Sequence, residues 1–179
     1  MKKIITILLI TVGLTAFSQT TINPDTVCAN AIGEIHFVTN TPGSTYQWTI
    51  TGGGILTNGQ GTNSITTDWG STSGLYPNAV SVLETSSSGC LGIPVNLDVY
   101  ILDLNVSSLP AFCLNDNAQT LSATPSGGVW SGNGVVGNDF DPFTAGIGTH
   151  VVTYSLGGCT NTINVIVNNS PITGPIQHY

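Results

Sequence analysis

Positive charge is nearly absent from this sequence. Its 179 residues include two lysines, Lys2 and Lys3, and no arginine, against nine carboxylates. A chain without cationic side chains after residue 3 has nothing to pair with phosphate and repels polyanions, which excludes nucleic-acid binding. It also excludes a fold held by salt bridges. Charged residues are only 6% of the whole, and good helix formers are scarce after residue 18, so few helices are expected. No pair of cysteines has the C-x-x-C spacing of redox or zinc sites. The only long apolar run, 4–14, is too short to span a bilayer comfortably.

What the chain does have is glycine, 22 residues of it, set among threonine, serine and asparagine. The stretch YQWTITGGGILTNGQGTNSITTDW, 46–69, alternates polar and apolar residues between Gly and Asn turns. Period-2 alternation of this kind marks half-buried antiparallel strands. Trp48 is placed at the centre of the core. Further strands are expected at 34–39, 45–50, 64–69, 79–84 and 95–102, then at 119–123, 128–131, 150–155 and 162–167. Short strands separated by turns predict an all-β chain of two tandem β-sandwich domains, 19–102 and 103–169, with an extended tail at 170–179. With a short linker, roughly 103–108, the pair should form a stiff rod.

Residues 1–18 combine Lys2-Lys3, the apolar run and Ala16-Phe17-Ser18, the pattern of a cleaved secretory signal peptide. Export makes the four cysteines candidates for two disulfides, with three possible connectivities. The halves echo each other: Cys28, Trp48 and Cys90 correspond in order to Cys113, Trp130 and Cys159. This repeat favours one staple per domain, Cys28–Cys90 and Cys113–Cys159, with Trp48 and Trp130 in the two cores.

No constellation reads as catalytic. Gly132-Asn133-Gly134-Val135-Val136-Gly137 spells a dinucleotide fingerprint, but the next residues, Asn138-Asp139-Phe140-Asp141-Pro142, cannot open a long helix, so a hairpin is the better account. His36, His150 and His178 are scattered, and no G-x-S-x-G elbow exists. Neither an enzymatic activity nor a cofactor is expected. Asn138, Asp139 and Asp141 could offer oxygen ligands to calcium; solvated turn residues are the plainer reading. Tyr76 and Trp69 could form a sugar-stacking platform, although core packing suits Trp69 better. In the tail, Pro171 and Pro175 bar a central strand. There Ile172, Ile176 and Tyr179 suggest docking on another protein or domain, a frayed end being the alternative.

The string YQWTITGGGILTNGQGTNSITTDWG, with the later SSSGC, resembles the PKD-like domains of large surface proteins in gliding bacteria that use type IX secretion. The second half, from FCLNDNAQTLSATPSGGVWSGNGVVGNDFDP to GTHVVTYSLGGCTNTINVIV, is similar to the Ig-like repeats that accompany them. The resemblance implies a non-enzymatic extracellular module acting by protein–protein contact in adhesion, gliding or surface assembly. Its partners would be envelope or surface proteins, neighbouring repeats or itself, with no membrane insertion after signal cleavage. It further implies Thr26, in Asp25-Thr26-Val27, as an O-glycosylation site. Two features depart from the pattern: WTITGGG stands where W-x-F-G-D-G is usual, and SPITGPIQHY does not resemble a type IX sorting domain. Hence the alternatives: an accessory subunit at the periplasmic face of the outer membrane, a carbohydrate-binding module, or the front of a longer repeat protein.

Overall fold

The computed structural model describes residues 19–20, 24–172 and 174–178. The expected signal peptide, 1–18, and Tyr179 lie outside the described residues.

The first half contains β1 (Gln19–Thr20), β2 (Asp25–Cys28), β3 (Glu34–Phe37), β4 (Thr45–Ile50), β5 (Gly54–Asn58), β6 (Ser64–Trp69), β7 (Gly74–Thr85) and β8 (Val95–Leu102). They form two sheets, one ordered β2-β8-β7-β4 with β1 also along β8, the other β3-β6-β5. The alternation seen in the sequence is the cause. Tyr46 and Trp48 of β4, and Ile65, Thr67 and Trp69 of β6, all point inward and are buried. Between the sheets they meet Val27, Ala79, Val80, Val82, Val99 and Ile101. Because β4 is an edge strand, Trp48 needs backbone partners from outside the ladder. The Gln60 side chain supplies them, its Oε1 accepting from the Trp48 amide at 2.9 Å and its Nε2 donating to the Trp48 carbonyl at 3.0 Å.

The second half contains β9 (Asn105–Val106), β10 (Phe112–Cys113), β11 (Gln119–Thr120), β12 (Ala123–Thr124), β13 (Val129–Ser131), β14 (Val135–Val136), β15 (Asp139–Phe140), the single helical turn α1 (Pro142–Ala145), β16 (Gly148–Leu156) and β17 (Cys159–Asn168). Its sheets are ordered β10-β17-β16-β13 and β11-β15-β14. Position for position this is the topology of the first half: a parallel first strand beside the last, then the long hairpin, then the Trp-bearing strand. The core holds Phe112, Leu121, Phe140, Val152, Val165 and Val167.

Two local expectations change. The strand expected at 119–123 is broken at the buried Leu121, whose amide donates to the Asn138 carbonyl. Beyond it the chain changes partners, and β12 pairs with β9. Residues 103–108, expected as a linker, therefore contribute a strand of the second domain. The glycine fingerprint at 132–137 is the turn-and-hairpin around β14, as its context required.

Candidate functional site

Two of the four cysteines meet at the junction of the halves. Cys28 ends β2, pairing in parallel with Leu102, the last residue of β8. Cys159 opens β17 after the two-residue turn Gly157-Gly158. The two cysteines are bonded, with Cα atoms 5.5 Å apart. The tip of the second domain's hairpin thus rests on the base of the first domain. Around the bond, Leu102, Leu104 and Tyr154 are buried, with Tyr100, Val106, Ala123, Trp130 and Leu156 packed against them. The Asn161 side-chain amide donates to the Leu104 carbonyl. Gly157 sits at φ +58 so close to the base that a Cβ there would lie 3.0 Å from Leu102 Cδ2.

This bond corrects the expected pairing. Cys28–Cys90 and Cys113–Cys159 are not formed; Cys90 and Cys113 are both unbridged. The reason is strand length. Cys90 lies in the hairpin before Val95, and Cys28 beside Leu102 at the other end of the same strand, about 23 Å away at the usual rise. Cys113 pairs with Asn168, while Cys159 begins that strand, about 30 Å away. A disulfide needs Cα atoms within roughly 7 Å.

Trp48 is buried in the first core, its indole N–H donating to the Thr62 carbonyl at 2.8 Å. Trp130 is only half-buried. It bridges the second core and the junction, its ring 4.6 Å from that of Tyr154. Trp69 is buried and Tyr76 half-buried, its hydroxyl donating to the Thr72 carbonyl, so they do not form a sugar-stacking platform.

Asp141 caps α1: one carboxylate oxygen accepts from the Phe143 amide at 3.0 Å and the other from the Thr144 hydroxyl at 2.6 Å. These bonds, the Thr144 hydroxyl foremost, hold its carboxyl below the usual range. Asp139 is a strand residue paired with Thr120 and Val136, and Asn138 accepts from Leu121 through its carbonyl. Among the described residues no group of three or more His, Cys, Asp or Glu could hold a metal ion. Thr26 is exposed on β2, beside the junction. Ile172 and Ile176 are exposed.

One surface was not visible in the sequence. In β3 the pattern is inverted: His36 points into the core while Ile35 and Phe37 face outward, 65% and 74% exposed. Ile35 pairs with Thr66, and Ile55 of β5, 66% exposed, pairs with Asp68. Thr66 and Asp68 share the face of β6 opposite the buried Ile65, Thr67 and Trp69. Ile35, Phe37 and Ile55 therefore stand together on the outer face of one sheet. The inward His36 is satisfied by the Thr67 hydroxyl at 3.1 Å and lies 3.9 Å from Asp25.

Two like sandwiches joined tip to base define a tandem β-sandwich module. Residues 15–93 match the PKD-like domain family, a match that ends before β8. No curated protein matches the chain. Three solved structures align over most of the chain. For the insect immune protein hemolin the TM-score is 0.38 at 11% identity, covering 84% of this chain and 46% of that one. Extracellular domains 3–5 of Drosophila OTK give 0.34 at 12%, covering 86% and 60%. The fibronectin(III)-like modules of Clostridium thermocellum CbhA give 0.28 at 15%, covering 87% and 95%. The chain thus spans about half the hemolin chain and 60% of the OTK chain.

Proposed function

We propose that this protein is a non-enzymatic, exported β-sandwich protein that acts by protein–protein contact in cell-surface adhesion or surface assembly. The observation that carries the reading is the outer face of β3-β6-β5, where Ile35, Phe37 and Ile55 are held exposed on a rigid sheet. Apolar residues gathered on one face mark a contact surface. Two further features support it: the match of residues 15–93 to the PKD-like domain family, and a disulfide, which belongs to an oxidising compartment outside the cytosol. No helix among the described residues is long and apolar enough to cross a membrane. The setting we favour is the surface of a gliding bacterium, with the partner an envelope or surface protein of the type IX pathway. A subunit at the periplasmic face of the outer membrane would use the same surface. A carbohydrate-binding role loses support with the burial of Trp69.

The test is a paired Ile35→Ser and Phe37→Ser variant, expressed in the native host. Both side chains are exposed, so the melting temperature should stay within a few degrees while cell-surface retention and adhesion fall. Unchanged retention and adhesion by a folded variant would overturn the reading.

A further inference from the structure

The two unbridged cysteines occupy the same structural positions as the two bridged ones. Val27-Cys28 lies parallel to Ile101-Leu102, and Phe112-Cys113 lies parallel to Val167-Asn168. The Ala29 amide donates to the Leu102 carbonyl at 2.9 Å, and the Leu114 amide to the Asn168 carbonyl at 2.9 Å. The turn after each cysteine closes alike, Ala31 to Cys28 and Asp116 to Cys113, both at 3.0 Å. Cys28 and Cys113 are each the base cysteine of a sandwich.

The tips match in the same way. Cys159 follows Gly158, and Cys90 follows Gly89; both glycines sit at φ +84 in the hairpin that joins the last two strands of their domain. The Ser86 amide donates to the Cys90 carbonyl at 2.9 Å, closing that turn. The bond in the structure joins a base cysteine to the tip cysteine of the next sandwich. One base, Cys113, and one tip, Cys90, are left over, at the ends of the two domains away from the junction. They cannot meet within one chain, and a second copy supplies both missing halves.

The flanking apolar residues agree. In the filled junction Leu104 and Val106, two and four residues past Leu102, are packed in. Counting likewise from Asn168 reaches Ser170 and Ile172, and Ile172 is 92% exposed. Beside the free tip, Leu91 is 70% exposed.

We propose that Cys113 of one copy bonds Cys90 of the next, repeating the internal junction between chains and building disulfide-linked head-to-tail oligomers. A contact between unlike ends adds copies head to tail, building an open chain or, where the rotation per copy closes, a ring. Within the chain the peptide link keeps tip and base at high effective concentration; between copies the disulfide must do so. The bond forms by exchange with a small disulfide such as oxidised glutathione. The exposed Cys90 thiolate attacks it, releasing one glutathione thiolate. The Cys113 thiolate of the neighbouring copy then attacks the Cys90 sulfur and releases the second. The two electrons and two protons lost by the cysteines end on two reduced glutathiones. This assembly stands on the junction geometry, independently of any adhesive role.

The experiment oxidises the purified protein with oxidised glutathione, followed by non-reducing electrophoresis and peptide mapping. A ladder of oligomers with Cys113–Cys90 as the cross-link is expected, collapsing on reduction. Cys90→Ser and Cys113→Ser variants should each remain monomeric, while their mixture stops at a dimer, in at least about tenfold excess over either alone. Mapping of the wild-type ladder decides the pairing even if a variant folds poorly. Dimerisation of either variant alone as readily as the mixture would overturn the proposal. So would a monomer with both thiols intact, or cross-links through Cys28 or Cys159.

Discussion

Cys28 and Cys159 are 131 positions apart in sequence and 5.5 Å apart between Cα atoms, one at the base of the first sandwich and one at the tip of the second. Closing so long a loop limits the unfolded chain, by about 5 kcal/mol in the chain-entropy account. Replacing both by serine should therefore lower stability by up to that amount and loosen the angle between the domains. Denaturant unfolding and small-angle scattering would measure the two effects. A variant with unchanged stability and unchanged scattering would show that the packing around Leu102, Leu104 and Tyr154 holds the junction alone.

Gly157 tests the same junction without touching sulfur. At φ +58, with Leu102 Cδ2 3.0 Å from where a Cβ would be, valine is opposed by both backbone and packing. Gly157→Val should cost roughly 1–3 kcal/mol. Gly158, at φ +84, has nothing within 4 Å of a built Cβ. There asparagine, which tolerates left-handed backbone, should cost less than about 1 kcal/mol. Equal losses at the two positions would contradict the close approach to Leu102.

The strands were legible where alternation was strong. Those expected at 45–50, 64–69 and 95–102 appear with those bounds as β4, β6 and β8. Where a strand is two residues long, as β11 and β12 are, no period can show in sequence, and only the ladder defines it. The correspondence of Cys28 with Cys113 and of Cys90 with Cys159 was also legible, since it follows chain order. The pairing was not. Which sulfurs meet depends on which end of a strand each occupies, and adjacency in the repeat says nothing of that. Nor could the outer face be read, because β3 inverts the usual pattern. Ile35 and Phe37 alternate as core residues would, and only the ladder with β6 shows that His36 is the inward one.

Trp48→Ala should cost roughly 3–5 kcal/mol, the usual penalty for emptying a buried aromatic site. Trp48→Phe keeps most of the volume but leaves the Thr62 carbonyl without its indole donor, so an intermediate loss is expected. Urea denaturation of the three proteins gives the order. A change within about 0.5 kcal/mol for alanine would mean that the core does not depend on this ring.

Asp141 distinguishes a helix cap from a calcium ligand. As the cap of α1, its loss in Asp141→Ala should lower the melting temperature equally whether calcium or a chelator is present, and Asp141→Ser should recover much of it. Thermal melts in both conditions read this directly. A loss seen only with calcium would reassign Asp141 to an ion. Because its folded pKa lies below the ordinary value, its share of stability is present at neutral pH and disappears as pH falls through the folded pKa.

His36 should make stability depend on pH in the mildly acidic range. Burial lowers its pKa, and the charges of Asp25 and Glu34 oppose that shift without reversing it. The unfolded chain therefore takes up a proton near the usual value of about 6.5, while the folded protein resists until the pH is lower. Stability is complete above the unfolded pKa, falls as pH drops below it, and levels off once the folded pKa is passed. The slope from one such group is at most about 1.4 kcal/mol per pH unit. His36→Gln, which can still reach the Thr67 hydroxyl, should flatten the curve below pH about 6.5 relative to wild type. Denaturant midpoints measured from neutral pH downward give the comparison. Since both proteins share every other titrating group, the difference between their curves isolates His36. Parallel curves would mean that the imidazole charges in the folded state as readily as in the unfolded one, with Asp25 at 3.9 Å offsetting its burial in full.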